Sequence, residues 1–362
     1  MWLAVSAMPR PVSGAGAASR QAGGFSRDTD RKWEFEFHGG GTMARNSTGG
    51  SPAYLQPGQP FRTIANLPSR RVSSWYIGDG GLLLNAVNEA FGFSERIRLL
   101  DTVAVGRAGQ PESGGSFGLR LGRDVTSRLG AELTVDYSLA HMAFGRTALA
   151  GIEASRATFV PAMTAPLETS QITELSVTST SSVSRPKGQL FITGVLNVSL
   201  RNEGRFIPYV SGGAGVIREM GDSPAAILEG NYRFVEPAGI PIDESDTVVL
   251  RIAAPAFVGV AGGGIRYYVS PRWGLRGDVR VYIDGNADNR LDLTPQPADS
   301  SSSNAVMASF TAPSLQFVSF ASNNPSAPRS SLSGPRVRDY RSFAGSGIRS
   351  QVNLTAGIFW KF

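Results

Sequence analysis

The sequence predicts an all-β chain: an eight-stranded antiparallel up-and-down transmembrane β-barrel with long extracellular loops. Three observations carry this reading. Eight segments alternate apolar and polar residues with a period of two, so each can offer one face to lipid and the other to an enclosed interior. Three short turns and four long connections join those segments in strict alternation, the asymmetry of barrels that cross a membrane. The aromatic residues at the strand ends can also be set at one depth, which a bilayer interface requires and a soluble sheet does not.

Composition narrows the alternatives. With 362 residues, 43 glycines, 22 prolines and only 18% charged residues, the chain suits short strands with long irregular connections and is a poor match to helical classes. It has no cysteine, which excludes disulfides, thiolate metal sites and a cysteine nucleophile. The net charge of +6 is spread without long runs, so there is no nucleic-acid footprint. No apolar run approaches the roughly 18 residues of a membrane-spanning helix, so only strands could cross a bilayer.

Residues 1–30 read as a leader or a disordered segment: Met1 to Met8 is apolar but short, and Gly14 to Ala18 has the small residues of a cleavage site. Residues 31–362 form the barrel domain, with long loops at about 41–113, 141–187, 218–255 and 284–349. The first strand runs from Lys32 to Gly40, with Trp33, Phe35 and Phe37 on one face and Glu34, Glu36 and His38 on the other. Phe117, Leu119 and Leu121 then alternate with Arg120 and two glycines, and a short turn leads to Leu129, Leu133, Val135, Tyr137 and Leu139, with Glu132, Thr134, Asp136 and Ser138 between. Leu190, Ile192, Leu196, Val198 and Leu200 alternate with Phe191, Thr193, Val195, Asn197 and Ser199. After the turn R-N-E-G, Phe206, Val210 and Val216 share a face opposite Tyr209 and Ser211, and Pro208, which has no amide hydrogen, calls for a bulge. The segment from Phe257 to Val269 turns tightly into Trp273, Leu275, Val279, Val281 and Ile283, which lie opposite Arg276, Asp278, Arg280 and Tyr282. The last strand, Ser350 to Phe362, puts Val352, Leu354, Ile358, Trp360 and Phe362 on one face.

If the short turns lie on the periplasmic side, Trp33, Phe206, Tyr267, Trp273, Trp360 and Phe362 fall in one aromatic girdle there, and Phe37, Phe117, Tyr137 and Phe257 mark the opposite rim. The inward face carries Glu34, Glu36, Glu132, Asp136 and Asp278 against Arg120, Arg266, Arg276, Arg280 and Lys361. That near balance suits a paired plug, since unpaired charges in a dry interior are costly.

The segments R-F-I-P-Y-V-S-G-G-A-G-V (Arg205 to Val216) and G-G-G-I-R-Y-Y-V-S-P-R-W-G-L-R-G-D-V-R (Gly262 to Arg280), with the terminal aromatic, resemble the bacterial outer-membrane β-barrel domain family of OmpA, OmpX and OmpW type. The resemblance covers the strands, about a third of the chain, and the long loops lie outside it. It implies location in the bacterial outer membrane and a monomer that contacts outer-membrane lipid and lipopolysaccharide. It also implies engagement of the barrel assembly machinery through the C-terminal strand, and it involves no nucleic acid. The function expected is a closed polar barrel presenting extracellular loops for structural, adhesive or binding roles. The alternatives are a narrow pore for small solutes, a lipid-modifying outer-membrane enzyme, and a soluble lipocalin-like binding barrel, in which the charged face would meet water.

No enzyme, cofactor, catalytic residue or metal ligand is expected. The glycine runs at Gly212 to Gly215 and Gly262 to Gly264 lack phosphate-loop spacing and leave room for interior side chains such as Tyr209 and Arg266. His141 lacks the H-x-S context of lipid A deacylases, and Ser138, three residues before it, points to the opposite strand face. Asp284, Asn286, Asp288 and Asp292 have calcium-loop spacing, but Asn289 replaces the glycine and Pro295 the closing glutamate, so a solvated loop is the reading. In the first loop, Asp79 can cap a helix that Gly92 ends, with Leu84, Val87 and Phe91 on one face, forming a lid over the barrel mouth or a headgroup contact. The Ile172 to Val183 region can extend its strand above the membrane.

Overall fold

The computed structural model describes residues 32–46, 49–60, 69–169, 172–235, 239, 241–297, 314–317 and 330–362. The leader segment, residues 1–30, lies outside the described residues. In chain order the strands are β1 (Trp33–Arg45), β2 (Gly49–Pro52), β3 (Gln59–Pro60), β4 (Arg70–Arg71), β5 (Gly109–Glu112), β6 (Gly114–Asp124), β7 (Leu129–Ser138), β8 (His141–Phe144), β9 (Thr173–Ser199), β10 (Phe206–Val235), β11 (Pro241–Ala253), β12 (Phe257–Tyr268), β13 (Trp273–Asp284), β14 (Asp288–Gln296), β15 (Val337–Ser346) and β16 (Arg349–Lys361). The helices are α1 (Asp79–Ala90), α2 (Asp101–Ala104) and α3 (Arg146–Glu168).

Eight of these strands close on themselves in the order β1, β6, β7, β9, β10, β12, β13, β16, every neighbour antiparallel. Closure is sealed at the chain ends, where the Trp33 and Phe362 amides each donate to the other's carbonyl, at 3.2 and 3.0 Å. The three short turns, residues 125–128, 200–205 and 269–272, lie at this same end. Gly204 holds φ +92° in the second of them, a conformation that favours glycine.

Within the barrel, two details differ from the sequence reading. β1 continues past Gly40 to Arg45, because its glycines end the alternation but not the ladder. Phe37 therefore pairs with Leu119 and Ile358 in the middle of the outer belt rather than at the far rim. Pro208 needs no bulge, because it sits at the end of the β9 ladder, where its carbonyl accepts from the Leu200 amide at 2.9 Å. The irregularity comes higher up, between Met220 and Ala225, opposite Pro186 and Gly188, and Gly221 takes φ +85° there. This shift swaps the faces of β10. Below it Ile207, Tyr209, Ser211 and Ile217 point inward, and above it Ala226, Leu228, Tyr232 and Phe234 do.

β9 and β10 run for 27 and 30 residues, against the roughly 9–11 that a tilted strand needs to span a bilayer. The excess rises above the barrel and pairs onward through β11, β14, β15 and β2, continuing the same sheet beyond the barrel. On that sheet pack α1, α2 and α3, burying Trp75, Tyr76, Leu84, Val87, Phe159, Met163, Tyr232, Phe234, Leu250, Leu291 and Phe317 in one core. The described parts of the long connections are thus not irregular loops; they fold together into a cap. As expected, Leu84 and Val87 face inward, with Phe91 packed against them, and Gly92 ends α1 at φ +76°. Asp79 does not cap it: Gly78 is the N-cap, and Asp79, inside the first turn, binds Arg70 at 2.8 Å and the Gly58 amide at 3.0 Å.

The 23-residue α3 contains Pro161 and Pro166. Proline at 166 leaves the Ala162 carbonyl without its helical donor, and the buried Asn88 side chain of α1 supplies one at 2.8 Å. Two helices are thereby tied at the point where one backbone needs a partner.

Candidate functional site

The barrel lumen is the first candidate site. Strand parity sends Glu34 and Glu36 of β1, Arg120 of β6, Glu132 and Asp136 of β7, Arg266 of β12, and Arg276, Asp278 and Arg280 of β13 into it, all of them buried. Glu132 is the hub. Its carboxylate accepts from Arg276 at 2.7 Å, Asn197 at 2.9 Å, Thr134 at 3.1 Å and Arg280, with Arg120 at 3.5 Å. Asp278 takes Arg280 at 2.8 Å and Arg120 at 2.8 Å, and Glu36 takes Arg120 at 2.9 Å and Arg276 at 3.2 Å. Glu34 stands 3.5 Å from Arg266. Tyr209 accepts from Arg276 at 2.6 Å, while the Arg276 and Arg266 guanidiniums sit 4.6 and 5.0 Å from its ring centre. A side chain on Gly264 would run into the Gly277 carbonyl and the hydroxyl end of Tyr209, which explains one glycine of the run.

Asp136 lies higher, with His38 at 2.5 Å and the Tyr282 hydroxyl at 3.1 Å. His38 is fully inside the wall, and it, rather than Lys361, is the remaining basic group near the arginines. Lys361 binds Asp124 at 2.5 Å by the short turns. Strand alternation assigned Lys361 to the correct face but could not give its depth.

Apolar layers close both ends of this network. Ile207, Tyr268 and Phe359 pack together towards the short turns, and Phe191, Ile217, Val258, Val260 and Tyr282 towards the cap. Above them Arg349, fully buried, clasps Asp284, with one of its contacts at 2.8 Å.

The exterior is the reverse. Leu119, Leu121, Leu133, Val135, Ile192, Leu196, Val198, Leu275, Val279, Leu354 and Ile358 are all exposed in a continuous belt. At the short-turn edge of this belt Trp33, Phe206, Trp273, Trp360 and Phe362 are exposed and Tyr267 half-buried, with Trp273 opposite Trp360 and the Phe206 and Tyr267 rings 4.7 Å apart. Ionic groups fill the inside while leucine and valine line the outside. A soluble barrel would need the opposite arrangement.

This is a transmembrane β-barrel.

No protein-family model and no curated protein matches the chain. Among solved structures, it is similar to CarO2 of Acinetobacter baumannii, at 13% identity over 68% of this chain and 92% of that one, with a TM-score of 0.19. The P. putida toluene transporter TodX matches at 9% identity over 91% and 90%, with a TM-score of 0.23. A Pseudomonas aeruginosa FadL homologue matches at 8% over 92% and 91%, with a TM-score of 0.16.

The other candidate residues lie apart. Ser138 points into the barrel and hydrogen-bonds Thr42 at 3.0 Å, whereas His141 is on β8, 3.4 Å from Glu112. The stretch with calcium-loop spacing is not a loop. Asp284 ends β13, and Asp288 and Asp292 lie on β14, held by Arg341 at 3.0 Å and Arg251 at 2.8 Å.

Sequence reasoning missed the buried acids of the cap. Asp246 of β11, completely buried, accepts from the Trp75 amide at 2.6 Å and the Ser74 hydroxyl at 2.8 Å. Burial raises its carboxyl to about 7, against the pull of those hydrogen bonds. Beside it Glu244 accepts from Tyr232, whose hydroxyl is pushed well above its usual range by burial and the carboxylate next to it.

Proposed function

We propose that the protein is an integral bacterial outer-membrane protein whose closed barrel anchors a folded extracellular cap, and that the cap carries a binding or adhesive role rather than a catalytic one. The lumen supports this reading most directly. Carboxylates and guanidiniums cross it in a mutually bonded network, with apolar layers above and below, so the barrel interior is built as a core and not as a solute path. The cap supports it too, because a hydrophobic core above the membrane gives a fixed surface of the kind on which recognition is usually built.

Eight strands, short turns on one side and an aromatic C-terminal strand also favour placing the chain with small barrels of OmpA, OmpX and OmpW type. Lipopolysaccharide contact and assembly through the C-terminal strand follow from that placement as part of the same proposal. Membrane fractionation and heat-modifiable electrophoretic mobility test it. The protein should fractionate with the outer membrane and migrate faster unheated than boiled, and external protease on whole cells should reach only the cap. Recovery in a soluble fraction would overturn the proposal.

A further inference from the structure

Where β1 leaves the barrel rim, its last residues, the start of β5 and the start of α3 enclose an open cavity of about 650 Å³. Among the described residues its charged lining is Arg45, Arg107 and Arg146, with no acidic residue. All three arginines are exposed. Arg107 donates to the Gly49 carbonyl at 2.5 Å, while among the described residues the side chains of Arg45 and Arg146 have no ion-pair or hydrogen-bond partner. Four other cap arginines are each paired with a carboxylate: Arg70 with Asp79, Arg156 with Glu153, Arg251 with Asp292 and Arg341 with Asp288. Three like charges gathered around one cavity repel each other unless an anion sits among them.

The position of the cavity adds to this. Arg45 pairs in register with Ser350 at the barrel rim, and Met43 and Ile348, exposed by 61% and 67%, end the apolar belt just beside it. The cavity therefore opens where hydrocarbon gives way to headgroups. Guanidinium groups are suited to phosphate because their planar fork matches two of its oxygens at once.

We propose that this pocket binds a phosphate group, supplied either by a phosphorylated lipid of the surrounding leaflet or by free phosphate. The lipid source rests on the membrane reading above; the site itself does not.

The test is native mass spectrometry of the detergent-purified protein offered short-chain phosphatidic acid, the matching diacylglycerol, or inorganic phosphate. The wild type should retain phosphatidic acid and not diacylglycerol. Loss of all three arginines in R45Q/R107Q/R146Q should weaken retention about 100-fold, and R45Q or R146Q alone about fivefold. Heat-modifiable mobility checks that each variant folds, and the single variants, at exposed unpaired positions, give the readout if the triple variant does not. If millimolar inorganic phosphate fails to displace phosphatidic acid, a lipid headgroup is the source; if it displaces the lipid and is itself retained, free phosphate is. Equal retention of phosphatidic acid and diacylglycerol, or equal retention by wild type and folded variants, would overturn the site. Insertion into vesicles is scored separately, so failure of the membrane reading removes the lipid source without touching the phosphate result.

Discussion

Replacing Glu132 by alanine removes the hub of the lumen. The carboxylate touches three guanidiniums, and each keeps something when it goes: Arg276 retains Glu36 at 3.2 Å and Tyr209 at 2.6 Å, Arg280 retains Asp278 at 2.8 Å, and Arg120 retains Glu36 at 2.9 Å. Breaking a buried pair by deleting one partner costs about 3–5 kcal/mol when the other charge is stranded. Because the arginines here are only partly stranded, the expected loss is about 3 kcal/mol, the lower end of that range. Urea unfolding of the protein refolded in lipid vesicles measures it. A cycle sharpens the test, since Glu132→Gln and Arg280→Met should each destabilise while the double variant recovers a large part of the loss. A loss below about 1 kcal/mol for Glu132→Ala, or strict additivity in the cycle, would refute the paired-core account of the lumen.

Other expectations concern the belt and the cap. Arginine placed at Leu133 or Val279, both outward on the barrel, should cost about 2–4 kcal/mol near the bilayer midplane and much less near the rims, read by the same unfolding assay. Asp246 makes the cap pH-dependent: its folded pKa of about 7 lies above the usual 3.8, so the folded state holds the proton more tightly. Its stabilising contribution is complete below about pH 4, declines as pH rises towards about 7, and is gone above that, a span worth about 4 kcal/mol at 1.36 kcal/mol per pKa unit. Protection factors of the cap amides, corrected for the intrinsic pH dependence of exchange, should therefore be higher at acid pH than at alkaline pH, and Asp246→Asn should flatten that dependence. Asn88→Ala leaves the buried Ala162 carbonyl without a donor and should destabilise the cap by about 1–3 kcal/mol, seen as faster proteolysis around α3 with the barrel unaffected.

The barrel was legible because each strand carries a full contrast between faces. From Leu129 to Ser138 every second residue is polar or glycine, and the structure turns those residues inward. Parity fixed the face of each interior residue but not its height, which is why Lys361 was grouped with the arginines although it sits by the turns with Asp124. The cap was hidden by exceptions to the same rules. In β11 the buried positions read Ile242, Glu244, Asp246, Val248, Leu250 and Ile252, and the two acids break the apolar stripe that would have marked a strand. In α3 the buried stripe Ile152, Ser155, Phe159, Ala162, Met163 and Pro166 has helical spacing, but the segment carries two prolines, which disfavour a helix, and the donor lost at Pro166 is replaced only by Asn88 from a distant part of the chain. The cavity of Arg45, Arg107 and Arg146 had no sequence signal, because its three arginines come from separate segments that meet only when the cap closes on the rim.

The closed lumen is the central claim, and single-channel recording of the purified protein in planar bilayers tests it most directly. The network from Glu34 to Asp136, with apolar layers on either side, predicts bilayers that stay electrically silent after insertion. A steady conductance in the wild type, altered by substitution of Arg276 or Glu132, would contradict it and make the same residues the lining of a pore.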